Sequence, residues 1–233
     1  MTTNTDEAQT PAAPNEPPTA MAQDEEREPA RRAILRLLRP AIVMTLALTI
    51  LTGLIYPGII TGLAQVFFPS QANGSILYVN GKPIGSALIG QYWTQPNYFH
   101  GRPSATTNPA GTPAPYSADN SGASNLGPTN QTLITTVQQR INDLKKENPD
   151  VPAGTPIPAD LVTSSGSGLD PDISVAAAYY QIPRVAKARG MTQEALRNIV
   201  DAHITGRFLG IFGEPRINVL ELNLALDGVQ PSK

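Results

Sequence analysis

The chain has 233 residues, a formal net charge of −2, 23 prolines, 19 glycines and no cysteine. The missing cysteine excludes disulfides, thiol catalysis and cysteine-held metal, and with only two histidines, His100 and His203, no metal is expected to be bound by this chain. From residue 71 onward acidic and basic residues number 12 each, so nothing provides the basic face that nucleic-acid binding requires.

Residues 1–30 carry seven acidic side chains (Asp6, Glu7, Glu16, Asp24, Glu25, Glu26, Glu28) against Arg27, with five prolines and almost no apolar bulk. Such a segment cannot bury enough surface to offset its ordering entropy, and it is expected to be a disordered, acidic cytoplasmic tail.

Residues 31–70 form a basic flank and a span. Arg31, Arg32, Arg36 and Arg39 precede a run of 28 residues, Ala41 to Phe68, without a charged side chain. As a helix that run reaches roughly 42 Å, more than the ~30 Å hydrocarbon core of a bilayer. No charge follows it until Lys82. Short flanks rich in arginine stay inside, so the chain is expected to be single-pass in the plasma (inner) membrane, with a cytoplasmic N-terminus and an extracytoplasmic C-terminal domain. The pair Arg31-Arg32 also fits a twin-arginine export signal, which would make the product an exported soluble enzyme. The length of the apolar run and the poor cleavage context Gln65-Val66-Phe67-Phe68-Pro69 argue for retention. Inside the run, Gly58 and Gly62 make a Gly-x-x-x-Gly ridge that lets another helix approach closely. Pro57 is expected to kink the helix and leave a carbonyl that needs another partner.

Residues 71–233 are sufficient for one compact domain, and the pattern is mixed. The fold class is therefore α+β: one N-terminal transmembrane helix, then one mixed α/β domain. Residues 75–79 and 84–89 flank Asn80-Gly81, a pair suited to a tight hairpin turn. Gln91 to Asn130, rich in Pro, Gly, Ser, Asn and Thr, reads as a long irregular segment. Leu133, Val137, Ile141 and Leu144 form one apolar stripe, predicting a helix from Gln131 to about Lys146. The prolines between Glu147 and Pro158 mark a linker. Asp170-Pro171 predicts a helix start, with the helix ending or kinking at Pro183. Thr192 is the expected cap of a further helix through Val200 to Thr205. Leu220, Leu222, Leu224 and Leu226 alternate with more polar residues, predicting a half-buried strand over Val219–Leu226.

No phosphate-cradling Gly-x-x-x-x-Gly-Lys-Ser/Thr and no Gly-x-Ser-x-Gly nucleophile elbow occurs, so no catalytic residue is assigned. The serine–glycine run Ser164, Ser165, Gly166, Ser167, Gly168 is the nearest candidate for an anion-binding nest, with a turn packed on a partner as the plainer alternative.

Several motifs in order resemble one family, the C subunit of the Kdp high-affinity potassium-transporting ATPase. They include Tyr98-Phe99-His100-Gly101-Arg102-Pro103-Ser104-Ala105, the stretch Asp160 to Pro171 with its Thr163-Ser164-Ser165-Gly166-Ser167-Gly168 run, Gln181-Ile182-Pro183-Arg184-Val185-Ala186, and Arg216 to Asn223. The resemblance covers about Leu38 to Asp227; the acidic tail lies outside it. It implies a non-catalytic subunit of an ATP-driven potassium pump. Its partners would be a potassium-selecting channel-like subunit, a P-type ATPase subunit and a very small membrane subunit. It also implies an assembly factor and catalytic chaperone that raises the ATPase subunit's affinity for ATP, with ATP as a shared ligand, for which the run Ser164–Gly168 is the nearest candidate site. An external domain would instead suit a purely structural brace of the potassium-selecting subunit, with Arg102 and Ser104 in a partner-facing loop.

Overall fold

The computed structural model describes residues 20–232. The expected tail lies outside the described residues as far as residue 19; from Ala20 the backbone is already helical.

Helix α1, Ala20–Ile50, and helix α2, Tyr56–Phe67, are joined by one π-helical turn, Leu51–Ile55. Residues 34–67 of this rod are long and apolar enough to cross a membrane, and none of the span is buried within the chain. The π turn has a local cause. Pro57 has no N–H to donate, and the Tyr56 N–H reaches back five residues to the Leu51 carbonyl. Thr52 Oγ1 donates to the Leu48 carbonyl at 2.7 Å, loosening the same turn from the other side. The disturbance expected at Pro57 is thus absorbed by widening the preceding turn. Nothing lies within 4 Å of a Cβ built on Gly58 or Gly62, so this ridge is open.

The second unit runs from Phe67 to the end of the chain. After the one-turn helix α3, Pro69–Ala72, strands β1, Ile76–Val79, and β2, Lys82–Ser86, form an antiparallel hairpin. Asn80 (φ +52°) and Gly81 (φ +74°) both sit in the left-handed region that the turn demands. The second strand stops three residues short of the expected Ile89, because the Ser86 hydroxyl accepts from Leu88 N–H and donates to the Gly74 carbonyl. Ser232 pairs with Tyr78 of β1 through both backbone groups.

Residues 91–130 contain no helix or extended strand, as expected. Helix α4, Gln131–Glu147, follows, capped by Asn130, whose side chain accepts from Thr132 N–H. Strand β3, Asp172–Ser174, pairs antiparallel with β4, Arg216–Asn218. Helices α5, Val175–Arg189, α6, Gln193–Ala202, and α7, Val219–Leu226, pack around this small sheet. The core is built from Ile173, Ala177, Val185, Leu196, Val200, Ile217 and Leu222, all 2 % exposed or less, with Phe99 inserted from the irregular segment.

Three expectations are corrected. Asp170 does not cap a helix: its carboxylate accepts from Asp172 N–H, Ile173 enters the sheet opposite Ile217, and Ser174 caps α5 by accepting from Ala177 N–H. Pro183 does not end α5, which continues to Arg189 and closes on Gly190 in the left-handed conformation. The stretch Val219–Leu226 is a helix. Val219, Leu222, Asn223 and Leu226 share one helical face, and the Asn218 side chain caps it through Glu221 N–H. Period 2 and period 3.6 both fit a leucine-rich stretch this short.

Candidate functional site

The domain's unusual feature is how it holds an extended segment without a strand partner. Residues 96–100 run past α5 and α7, and side chains do the pairing. Asn223, fully buried, accepts from Phe99 N–H at 2.9 Å and donates to the Phe99 carbonyl at 2.9 Å. Gln181, 1 % exposed, treats His100 the same way, at 2.8 and 3.1 Å. Each amide offers an acceptor and a donor side by side, the pattern a neighbouring strand presents.

Two arginines complete the latch. Arg184 donates to the carbonyls of Pro96 (2.6 Å) and Tyr98 (3.0 Å), to Asn148 Oδ1 (3.1 Å) and to Gln181 Oε1 (2.7 Å). Burial lowers its pKa to about 10, against the opposing charge of Glu147, so it remains cationic at neutral pH. Arg189 donates to the Asn97 and Leu226 carbonyls and pairs with Asp227 at 2.8 Å.

This latch positions Arg102 and Ser104 directly against the serine–glycine run. Arg102 pairs with Asp170 at 3.0 Å and reaches the Ser164 carbonyl at 3.4 Å. Ser104 Oγ donates to the Gly168 carbonyl at 2.7 Å and accepts from Tyr116 N–H at 3.0 Å. Tyr116 in turn donates to the Arg102 carbonyl at 2.7 Å; burial, then the charge of Asp170, pushes its phenol up to about 12. Both residues expected to face a partner are therefore partly buried and bonded within their own chain.

The run is engaged from several sides. Gly168 N–H donates to Ser165 Oγ, Leu169 N–H to Ser167 Oγ, and the Ser167 carbonyl accepts from Gly122 N–H. At Gly168 (φ +69°) an added Cβ would lie 2.6 Å from both the Gly122 carbonyl oxygen and Thr106 Cγ2. Close packing and backbone conformation together demand glycine there. At Gly166 nothing lies within 4 Å. Pro57, Gly58 and Gly62 belong to the other unit.

Beside the latch lies a cavity of about 250 Å³ lined by Tyr92, Trp93, His100, Arg102, Arg140 and Glu147, among others. Drug-sized ligands generally occupy about 300–1,000 Å³. His100 sits 3.5 Å from Glu147, and its hydrogen bond holds that carboxyl below the usual range despite partial burial. Arg140 donates to the Val162 carbonyl. Among the described residues no cluster of three or more His, Asp or Glu is placed to hold a metal. His203, just past the end of α6, is bonded to the Ile199 carbonyl of that helix.

Residue-type reasoning missed Gln181, Arg184, Arg189 and Asn223. The available signal was polar side chains within otherwise apolar helical faces: Gln181 and Arg184 stand three apart between Tyr180, Ile182 and Val185.

Compared with known proteins, residues 38–228 match the family model "KdpC: K+-transporting ATPase, c chain". A protein of Rhodopseudomonas palustris called "Potassium-transporting ATPase KdpC subunit" is 56% identical over 203 residues, covering 84% of this chain and 100% of its own. One of the same description from Methylobacterium nodulans is 56% identical over 200 residues, covering 83% and 98%. Another from Bradyrhizobium diazoefficiens is 54% identical over 200 residues, again 83% and 98%.

Proposed function

This chain belongs to the KdpC family of K+-transporting ATPase subunits, and from that premise we propose that it is a non-catalytic, single-pass subunit that assembles and braces the pump from outside the cytoplasm. The observation that carries the reading is the span. Four arginines stand before it, no charge follows until Lys82, and Gly58 and Gly62 leave an open ridge. The arginines hold the N-terminus in the cytosol. The ridge seats a helix of another membrane subunit, for which the channel-like potassium-selecting subunit is the natural partner, within a complex that also holds the P-type ATPase subunit and a small membrane subunit. The neutral domain supplies no field to concentrate potassium; its part is shape, which the latch makes rigid.

Gly58→Ile tests this. Filling the ridge is expected to reduce recovery of intact complex in mild detergent about tenfold, corresponding to ~1.4 kcal/mol of helix packing. Undiminished recovery removes helix packing from the reading.

A second reading makes the chain a catalytic chaperone that shares ATP with the ATPase subunit. Arg102 favours it, because its side chain touches both the Ser164–Gly168 run and the cavity lined by Trp93 and Arg140. The prior hydrogen bonding of that run and the small cavity weigh the other way. Saturable ATP binding by the full chain in detergent, lost in Arg102→Ala, is the outcome expected of the chaperone; a flat titration is expected of the brace.

A further inference from the structure

The domain carries one feature that neither packing nor the latch explains. Between β4 and α6 the chain projects a finger, Arg207-Phe208-Leu209-Gly210-Ile211-Phe212-Gly213-Glu214. Phe208, Leu209, Ile211 and Phe212 are 70, 74, 72 and 63 % exposed, four adjacent large apolar side chains with no charge among them. Soluble surfaces scatter such residues singly; a contiguous cluster marks a contact.

The finger is not a loose loop. Thr205 and Arg216 pair through both backbone groups at its base, and Arg207 and Glu214 close the neck with a 2.7 Å ion pair. Phe208 and Phe212 exchange both backbone hydrogen bonds, at 2.8 and 2.9 Å. Leu209 stands at φ +53°, a conformation costly for a bulky side chain, followed by Gly210 at φ +74°. Such a strained, bulky tip residue points to function more than to economy of folding.

We propose that this finger inserts into the interfacial layer of the lipid bilayer that holds the chain's own span. Two observations favour lipid over protein. The N–H groups of Phe208, Gly210, Ile211 and Phe212 all end on carbonyls within the finger. A bilayer offers no acceptors below its headgroups, and this tip asks for almost none. The second is reach. Eight residues, Phe68 to Ser75, separate the span from β1, at most ~28 Å of extended chain. A domain of this size has a radius of gyration of about 15 Å. Tethered so closely, the finger meets the membrane surface at high effective concentration. The neck pair Arg207–Glu214 lies at headgroup level, while Leu209 and Ile211 enter the acyl boundary, the depth that interfacial apolar segments reach. The finger then acts as a second foot that fixes the domain's attitude to the bilayer. This inference rests on the membrane anchorage proposed above.

The test uses the full chain with Phe212→Trp in phosphatidylcholine–phosphatidylglycerol vesicles with and without brominated acyl chains. Flotation with the vesicles checks the anchorage separately. The wild-type chain, whose single tryptophan is Trp93, supplies the background. The expected result is a blue-shifted increment in emission that bromolipid quenches several-fold. A spin label on Leu209→Cys, in a chain with no other cysteine, is expected to be more accessible to oxygen than to a water-soluble nickel complex. Chain that floats but shows water-like, unquenched emission overturns the finger and leaves the anchorage standing. Emission that shifts only in the assembled complex, without bromine quenching, assigns the finger to another subunit and also overturns the proposal. Failure to float overturns the anchorage itself.

Discussion

Two regions of the domain after the span are held together by different physics. The framework of β3, β4, α5, α6 and α7 is held by apolar burial, with Leu196, Val200, Ile217 and Leu222 at zero exposure. The segment from Gln91 to Asn130 contributes one fully buried large apolar side chain, Phe99, with Trp93 partly buried against the same core. Its stretch 96–100 is held by directed polar bonds from Gln181, Arg184, Arg189 and Asn223, and its later part by bonds such as Arg102–Asp170 and Ser104–Gly168. Apolar packing tolerates substitution of similar volume; a directed bond does not. The irregular segment is therefore the more brittle of the two, although it has less regular structure.

The sharpest way to break that contrast is to compare Arg184→Ala with Leu196→Ala in thermal or denaturant unfolding of the full chain in detergent. Leu196→Ala is expected to cost about 2–5 kcal/mol through cavity formation. Arg184→Ala is expected to cost about 3–5 kcal/mol, because it strips donors from the buried Gln181 and Asn148 and from two carbonyls. Arg184→Lys is expected to restore little, since an ammonium cannot reproduce the fork. A loss below ~1 kcal/mol for Arg184→Ala would mean that the segment is held some other way.

Next in size is Gly168→Ala, expected to cost about 2–3 kcal/mol from the positive φ and the two 2.6 Å approaches. Gly166→Ala, with open space around it, is expected to be within about 0.5 kcal/mol of the parent. Equal effects would show that the run is a uniformly mobile loop. The smallest effect belongs to the rim of the latch. Burial pushes the Asp227 carboxyl up, but the hydrogen bonds from Arg189 and Tyr98 and the charge of Arg189 together hold it below its ordinary value of 3.8. Its contribution is thus present above that value and lost as pH falls through the lower folded value. Asp227→Asn is expected to flatten the acid limb below about pH 4 by under ~1 kcal/mol, the carboxylate being partly exposed and screened.

What could be read from the chain divides along the same line. The span, the Asn80-Gly81 hairpin, the α4 stripe and the Thr192 cap follow local rules, and those elements form as expected, although the second hairpin strand ends at Ser86 rather than Ile89 and the helix capped by Thr192 ends at Ala202 rather than Thr205. Asp170 and the stretch Val219–Leu226 were misread because each has two local solutions that only tertiary partners separate: Arg102 and the Asx turn for the first, the Asn223–Phe99 pair for the second. The latch joins residues 81 and 124 positions apart, beyond any periodic pattern. In the candidate site, residue types suggested the serine–glycine run, and the family resemblance with an external domain separately suggested Arg102 and Ser104. That the two sets bond to each other depends on those long-range amide pairs.

The claim on which the functional reading turns is the side of the membrane. Ser121 is exposed, and the chain has no native cysteine, so Ser121→Cys gives one reactive thiol on the soluble domain. Labelling intact cells with a membrane-impermeant maleimide is expected to modify it fully without lysis. Protection in intact cells, with modification only after lysis, would place the domain in the cytosol and contradict the account.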